Sequence, residues 1–204
     1  MIAYSQVASK HLHSEGISMK RRHFIQLGGL STIGAAVPLV FEGFGSKTLQ
    51  AVAAVPSHRS VIALECMGNI QSPRWLDGRT GNSTVGLAPR RDRPFTGTRW
   101  QVFEVDSGVY ALKCLGNVNG PRWLDGRTGN GTVGLAPETG KQFSGTRWQI
   151  FEISSGILAL KCLGDINGPR WLDGRTGNGT VGLAPNTPTP DGGFSGATWR
   201  LYNA

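Results

Sequence analysis

From residue 60 onward, apolar and polar positions alternate in short runs that return at a fixed interval. In the middle of the chain these are "VYALKCLG", "RWLDGRT", "TVGLAP" and "TRWQIFEI", beginning at Val109, Arg122, Thr132 and Thr146. Gly, Pro and Asn separate them, and β-branched or aromatic residues fill them, which predicts four short strands. No stretch sustains a helical period, so no helix is expected. Between the second and third runs lies "GNG", and Asn-Gly favours the positive backbone angles of a tight hairpin. The whole order occurs three times, in units 60–107, 108–155 and 156–204. Cys66, Cys114 and Cys162 are 48 positions apart, as are Trp75, Trp123 and Trp171. Trp100 and Trp148 keep the same interval, while Trp199 comes three residues late because "NTPTPDGGFSG" replaces "ETGKQFSG".

Three four-stranded units make twelve strands in about 150 residues, fewer and shorter copies than solenoids and propellers usually need. Closing such a sheet on itself removes the edges that invite aggregation. The run "LKCLGNVNGPRWLDGRTGNGTVGLAP", with its Cys, Trp-Leu pair and Gly-Thr-Val strand, resembles a β-trefoil repeat. Ricin-type lectins, fascins and fibroblast growth factors share that layout, and the resemblance covers residues 60–204. It implies an all-β β-trefoil of three ~48-residue four-stranded repeats. Six strands would form a short barrel, with three hairpins capping one end. It implies no single function, because trefoils host sugar binding, actin bundling, receptor binding and protease inhibition. The Gln-x-Trp motif of ricin-type sites is absent: the fourth strands open with Thr98-Arg99-Trp100, Thr146-Arg147-Trp148 and Ala197-Thr198-Trp199.

The segment before the repeats has a different character. Lys20, Arg21 and Arg22 lead through Phe24-Ile25 into an uncharged run that ends at Val40. This resembles a twin-arginine export signal. Gly28, Gly29, Gly34 and Pro38 dilute the run and make it a poor membrane span. Ala51-Val52-Ala53 offers a small-x-small cleavage site, so residues 1–53 are read as extension and signal, with Met19 the expected start. An uncleaved N-terminal anchor is the alternative. The domain is then 54–204, exported to the periplasm or beyond, with the membrane concerned only through the signal. Setting residues 1–53 aside leaves sixteen basic and eleven acidic residues, a net charge of +5. Only Arg90, Arg91 and Arg93 cluster, and nucleic-acid surfaces are built from denser one-sided fields, so no nucleic-acid partner is expected.

Candidate chemistry lies in the repeated "PRWLDGRTGN". With Leu76, Leu124 and Leu172 pointing inward, alternation puts Trp75, Asp77 and Arg79 on the other face. Trp123, Asp125 and Arg127 share that arrangement, as do Trp171, Asp173 and Arg175. An indole beside a carboxylate and a guanidinium is a platform for a sugar, and Asn82, Asn130 and Asn178 at the hairpin tips would add amide contacts. A structural reading stands beside it. Asp and Arg two apart can brace the hairpin, the tryptophans can be buried, and the Asn residues can shape turns. The tips also match the N-glycosylation pattern, as in Asn130-Gly131-Thr132, but an export signal of this type means a bacterium and hence hairpin chemistry. Trp100, Trp148 and Trp199 are expected in the core. The three cysteines are read as small buried hydrophobes, although threefold placement leaves a soft-metal site conceivable.

Residues 111–137 and 159–185 differ only at Asn117/Asp165 and Val118/Ile166. Duplication explains identical apolar positions, and a shared binding role would explain the identical polar ones. Residues 54–204 hold a single histidine, His58, and each repeat supplies one prominent aspartate, too little for the differentiated acid, base and nucleophile of an enzyme. No catalytic residue, metal or cofactor is assigned. The expected partner is a glycan or polysaccharide held by up to three equivalent sites. The alternative is a protein partner held by the variable loops "RRDRP", "ETGKQ" and "NTPTPDGG". The twin arginines give the first test: Arg21→Lys with Arg22→Lys should leave the full-length precursor in the cytoplasm, read by fractionation and intact mass. Unchanged export of the double variant would remove the twin-arginine reading.

Overall fold

The computed structural model describes residues 56–69, 72–189 and 195–204. The proposed signal segment therefore lies outside the described residues. The first repeat contains β1 (Val61–Cys66), β2 (Trp75–Arg79), β3 (Thr84–Ala88) and β4 (Trp100–Asp106). The second contains β5 (Val109–Cys114), β6 (Trp123–Arg127), β7 (Thr132–Ala136) and β8 (Trp148–Ser154). The third contains β9 (Ile157–Cys162), β10 (Trp171–Arg175), β11 (Thr180–Ala184) and β12 (Trp199–Asn203). Single 3-10 turns at Thr96–Thr98, Ser144–Thr146 and Ser195–Ala197 precede each fourth strand. The expected strands and the observed ones agree to within one or two residues at each end. No strand run became a helix.

Antiparallel pairing closes a ring. β1 pairs β4, β4 pairs β5, β5 pairs β8, β8 pairs β9, β9 pairs β12, and β12 returns to β1. The remaining six strands form the hairpins β2–β3, β6–β7 and β10–β11. Their second strands pair with one another around the threefold centre, through Thr84 with Gly134, Thr132 with Gly182 and Thr180 with Gly86. A ring and a closed triplet leave few unpaired edges. The hairpin tips use one backbone shape. Gly131 and Gly179 have φ of 71° and 70°, and Ser83 holds the same left-handed conformation at 60°.

The core is built from the same position in each repeat. Leu76, Leu124 and Leu172 are fully buried, as are Trp100, Trp148 and Trp199. Each of these indoles donates its Nε1 proton to the carbonyl of the matching leucine, at 3.0, 3.0 and 2.9 Å. A buried Trp is thereby both packed and satisfied.

The joint between repeats is tighter still. The Cys114 Sγ of the second repeat donates to the carbonyls of Gly78 and Gly97 in the first, at 3.3 and 3.5 Å. Cys162 bonds Gly126 and Gly145 in the same way, and Cys66 bonds Gly174 and Gly196. A Cβ on Gly126 would stand 2.7 Å from the Cys162 Sγ and 3.0 Å from Trp148 Cη2. The cysteines therefore fill repeat junctions as small polarizable side chains. Burial pushes each thiol up to about 11, so all three stay protonated at neutral pH.

Gly126→Ala should destabilise the protein by about 1–3 kcal/mol through overpacking. Cys162→Ala added to it should recover part of that loss, measured as a coupling in a denaturant double-mutant cycle. Additive effects would mean that the glycine is not required by the thiol.

Candidate functional site

Asp77 lies opposite Gly86 in the β2–β3 register, and Arg79 lies one step further along the same face. The absence of a side chain at Gly86 lets Arg79 fold back across the hairpin: a Cβ there would be 2.8 Å from Nη2. Its Nε then approaches Asp77 Oδ2 at 3.7 Å, and Arg127 and Arg175 approach Asp125 and Asp173 at 3.5 and 3.7 Å. The arginine side chains are more than half exposed, at 52–57%. Such pairs contribute little stability. What they do is orient the carboxylate.

The other carboxylate oxygen lies against a different element. A Cβ on Gly97, Gly145 or Gly196 would lie only 2.4 Å from Oδ1 of Asp77, Asp125 or Asp173. The glycine of each 3-10 turn is thus seated directly on the aspartate. Burial raises the pKa of all three aspartates above 3.8, and the adjacent arginine charge opposes the rise. The hairpin asparagines are half committed. Oδ1 of Asn82, Asn130 and Asn178 accepts from the backbone N–H and the hydroxyl of Thr84, Thr132 and Thr180. Their carbonyls shape the tip, and the amide nitrogen is the part that remains for a ligand.

Around Asp77 and Asp125 the surface is concave. One cleft of about 330 Å³ opens between the first and second repeats, and one of about 290 Å³ between the second and third. The first combines Asp77, Arg79 and Asn82 with Phe95 and Thr96, and with Asn117 and Val118 of the next repeat. The second combines Asp125, Arg127 and Asn130 with Phe143 and Ser144, and with Asp165 and Ile166. At the third junction Asp173, Arg175 and Asn178 repeat the arrangement on Gly196, though part of its wall lies outside the described residues. Val118 and Ile166 are 52% and 66% exposed, and Val105 is the other large hydrophobic so exposed among the described residues. Two of the three exposed apolar side chains therefore stand in equivalent cleft mouths.

The structure brings Asp, Arg and Asn together and sends the tryptophans elsewhere. Trp75 packs on Tyr202, with ring centres 5.2 Å apart and the Arg91 guanidinium over it at 5.6 Å. Trp123 packs on Phe103 beneath Lys113, and Trp171 on Phe151 beneath Lys161. None of the three lines a described cleft. Alternation placed Trp and Asp on one face, but strand twist turns the start of β2 toward the barrel wall.

Sequence reasoning passed over several cleft residues. Phe95, Phe143, Asn117 and Asp165 lie on loops, where no alternation marks them. The phenylalanines were signalled by the recurring Phe-Thr-Gly and Phe-Ser-Gly before the fourth strand, and Asn117 and Asp165 only by their difference between otherwise identical segments. The opening arginine of "PRWLDGRTGN" was also overlooked. Arg122 donates to the carbonyls of Cys114, Gly116 and Val118, and Arg170 to those of Cys162, Gly164 and Ile166. Arg74 donates to the Cys66 carbonyl at 2.7 Å. These arginines fix the loop that forms the far wall of each cleft. No group of three or more His, Cys, Asp or Glu able to hold a metal occurs among the described residues.

The two described clefts each offer an oriented carboxylate, a guanidinium, an amide donor, a phenyl ring and an exposed aliphatic side chain. This set can exchange hydrogen bonds with a polyol and pack against its apolar face. No family model matches the chain, and a search of curated proteins finds no match. Among solved structures, the crystal structure of ThreeFoil, a designed 3-fold symmetric protein, aligns with a TM-score of 0.53. The alignment covers 71% of this chain and 99% of that one, at 17% identity. The fold is β-trefoil-like. At that identity the likeness extends to architecture alone.

The raised aspartate values make a pH prediction. With folded pKa above unfolded, each group's contribution to stability is fully present below 3.8 and is lost as pH rises through the folded value. Asp77→Asn, Asp125→Asn and Asp173→Asn combined should therefore remove a decline in stability that the wild type shows above that point. Denaturant midpoints across the acidic range test it, and identical pH profiles would contradict the assigned burial.

Proposed function

We propose that this protein is an exported, non-enzymatic carbohydrate-binding trefoil with a weak lectin-like site at each repeat junction. One observation carries the reading: two successive junctions build the same cleft around an aspartate that faces an arginine on one side and packs on a glycine on the other, with a phenyl ring and an exposed Val or Ile in the lining. A purely structural Asp–Arg brace has no use for exposed apolar side chains at equivalent positions. The aspartate, arginine and asparagine supply directional contacts to hydroxyls, and Phe95 or Phe143 with Val118 or Ile166 receives the apolar face of the ring. Equivalent weak sites also fit a polymeric ligand, where linked engagement gains roughly 10²–10⁴ over one site if the spacing permits. Residues 1–53 serve export in this reading, and the trefoil acts in the periplasm or outside the cell.

Truncating the anchored carboxylates tests the proposal. Asp77→Ala, Asp125→Ala and Asp173→Ala together should weaken retention on a polysaccharide selected by glycan array by more than about tenfold, the worth of a charge-assisted hydrogen bond. The unfolding transition should remain cooperative. Calorimetric stoichiometry on the wild type should exceed one sugar per chain. Full retention by the triple variant would remove these sites. Absence of any saturable glycan binding would move the function to a protein partner at the variable loops.

A further inference from the structure

The two duplicated segments differ at two positions in 27, Asn117/Asp165 and Val118/Ile166, and both positions line the clefts. The first repeat has Asn69 at the same place, so Asp165 alone carries a charge there. Its surroundings differ accordingly. Thr96 donates its hydroxyl to Asn117 Oδ1 at 2.9 Å and accepts from the Asn117 N–H at 3.2 Å. In the next cleft only the backbone bond persists, from Asp165 N–H to Ser144 Oγ at 3.1 Å. Among the described residues the Asp165 carboxylate has no hydrogen-bond or ion-pair partner.

The charge balance of the clefts is therefore unlike. Between the first and second repeats one carboxylate, Asp77, faces one guanidinium, Arg79. Between the second and third, Asp125 and Asp165 face Arg127 alone. Arg127 already approaches Asp125, and Arg170 is engaged by the carbonyls on either side of Asp165, so the extra carboxylate forms no ion pair among the described residues. Ile166, the neighbouring change, keeps the apolar contact while adding one methylene.

Resting on the carbohydrate reading, we infer that Asp165 is a specificity-determining residue. It makes the cleft between the second and third repeats select a sugar bearing a protonated amine, whereas the Asn117 cleft takes a neutral sugar. The recognition is a charge-assisted hydrogen bond from the ammonium to the Asp165 carboxylate. Its exposure limits the preference to about fivefold, the upper range for solvent-exposed ion pairs, and makes it sensitive to salt.

The test is an NMR titration of the protein with oligomers of glucosamine, of N-acetylglucosamine and of glucose. Amides of Gly116–Val118 and Gly164–Ile166 report the two clefts separately. The glucosamine oligomer should bind the Asp165 cleft about fivefold more tightly than the glucose oligomer, with no such preference in the Asn117 cleft. Asp165→Asn should abolish the preference for the glucosamine oligomer over the glucose oligomer, and Asn117→Asp should create it in the other cleft. Asparagine already occupies this position in two repeats, so the Asp165→Asn protein retains its fold. A preference that survives Asp165→Asn overturns the inference and leaves the carbohydrate reading intact. Failure of all three oligomers to bind also overturns it, whereas the carbohydrate reading itself stands or falls on the glycan array.

Discussion

The architecture turns on a contact between a thiol, a glycine and an indole at each repeat junction. Cys114 presses its sulfur onto Gly78 while the end of the Trp100 ring covers the same spot, and rotation through the pseudo-threefold axis reproduces the arrangement twice. The space admits no additional carbon. A strand of one repeat is thereby locked to a strand of the next, and the third junction joins the last repeat to the first through β12 and β1. Repeats of this size have too little apolar area to fold alone, so the shared core depends on these joints.

The same close approach makes the candidate site. Because the backbone passes so near at Gly78 and Gly97, Asp77 is trapped between its own hairpin and the 3-10 turn ahead of β4. A carboxylate in that position is costly to desolvate and only loosely paired with a half-exposed arginine. Each aspartate is therefore ill explained as a stabilising group. Its partners fix its direction, and its direction is into a cleft. Arg122 and Arg170, bonding three carbonyls each, brace the loop of the opposite wall.

The tryptophans of the repeated decapeptide answer a different need. Each covers the outer barrel wall between strands of neighbouring repeats, stacked on an aromatic side chain and overlaid by a cation. Such stacking is worth about 0.5–1.5 kcal/mol beyond the burial itself. One ten-residue motif thus serves the core through Leu, the wall through Trp, the cleft through Asp, Arg and Asn, and the cleft's far loop through its first Arg.

Repeat period, strand boundaries, the inward leucines and the core tryptophans were all legible from the chain, because strand alternation and turn chemistry are local and the repeats multiply the signal threefold. The aspartates and arginines were legible as neighbours for the same reason. What local pattern leaves open is which repeated polar groups converge. Phe95 meets Asp77 from a loop of the same repeat, and Asn117 and Val118 from a loop of the next, all more than fifteen residues away in sequence and without periodicity. Trp75 and Asp77 share a strand face yet part company, because twist and the neighbouring barrel strand separate them. Sequence determined the repeating unit and its faces. Tertiary structure decided that the cleft belongs to two units at once, since only the packing of one repeat on the next brings its two walls together.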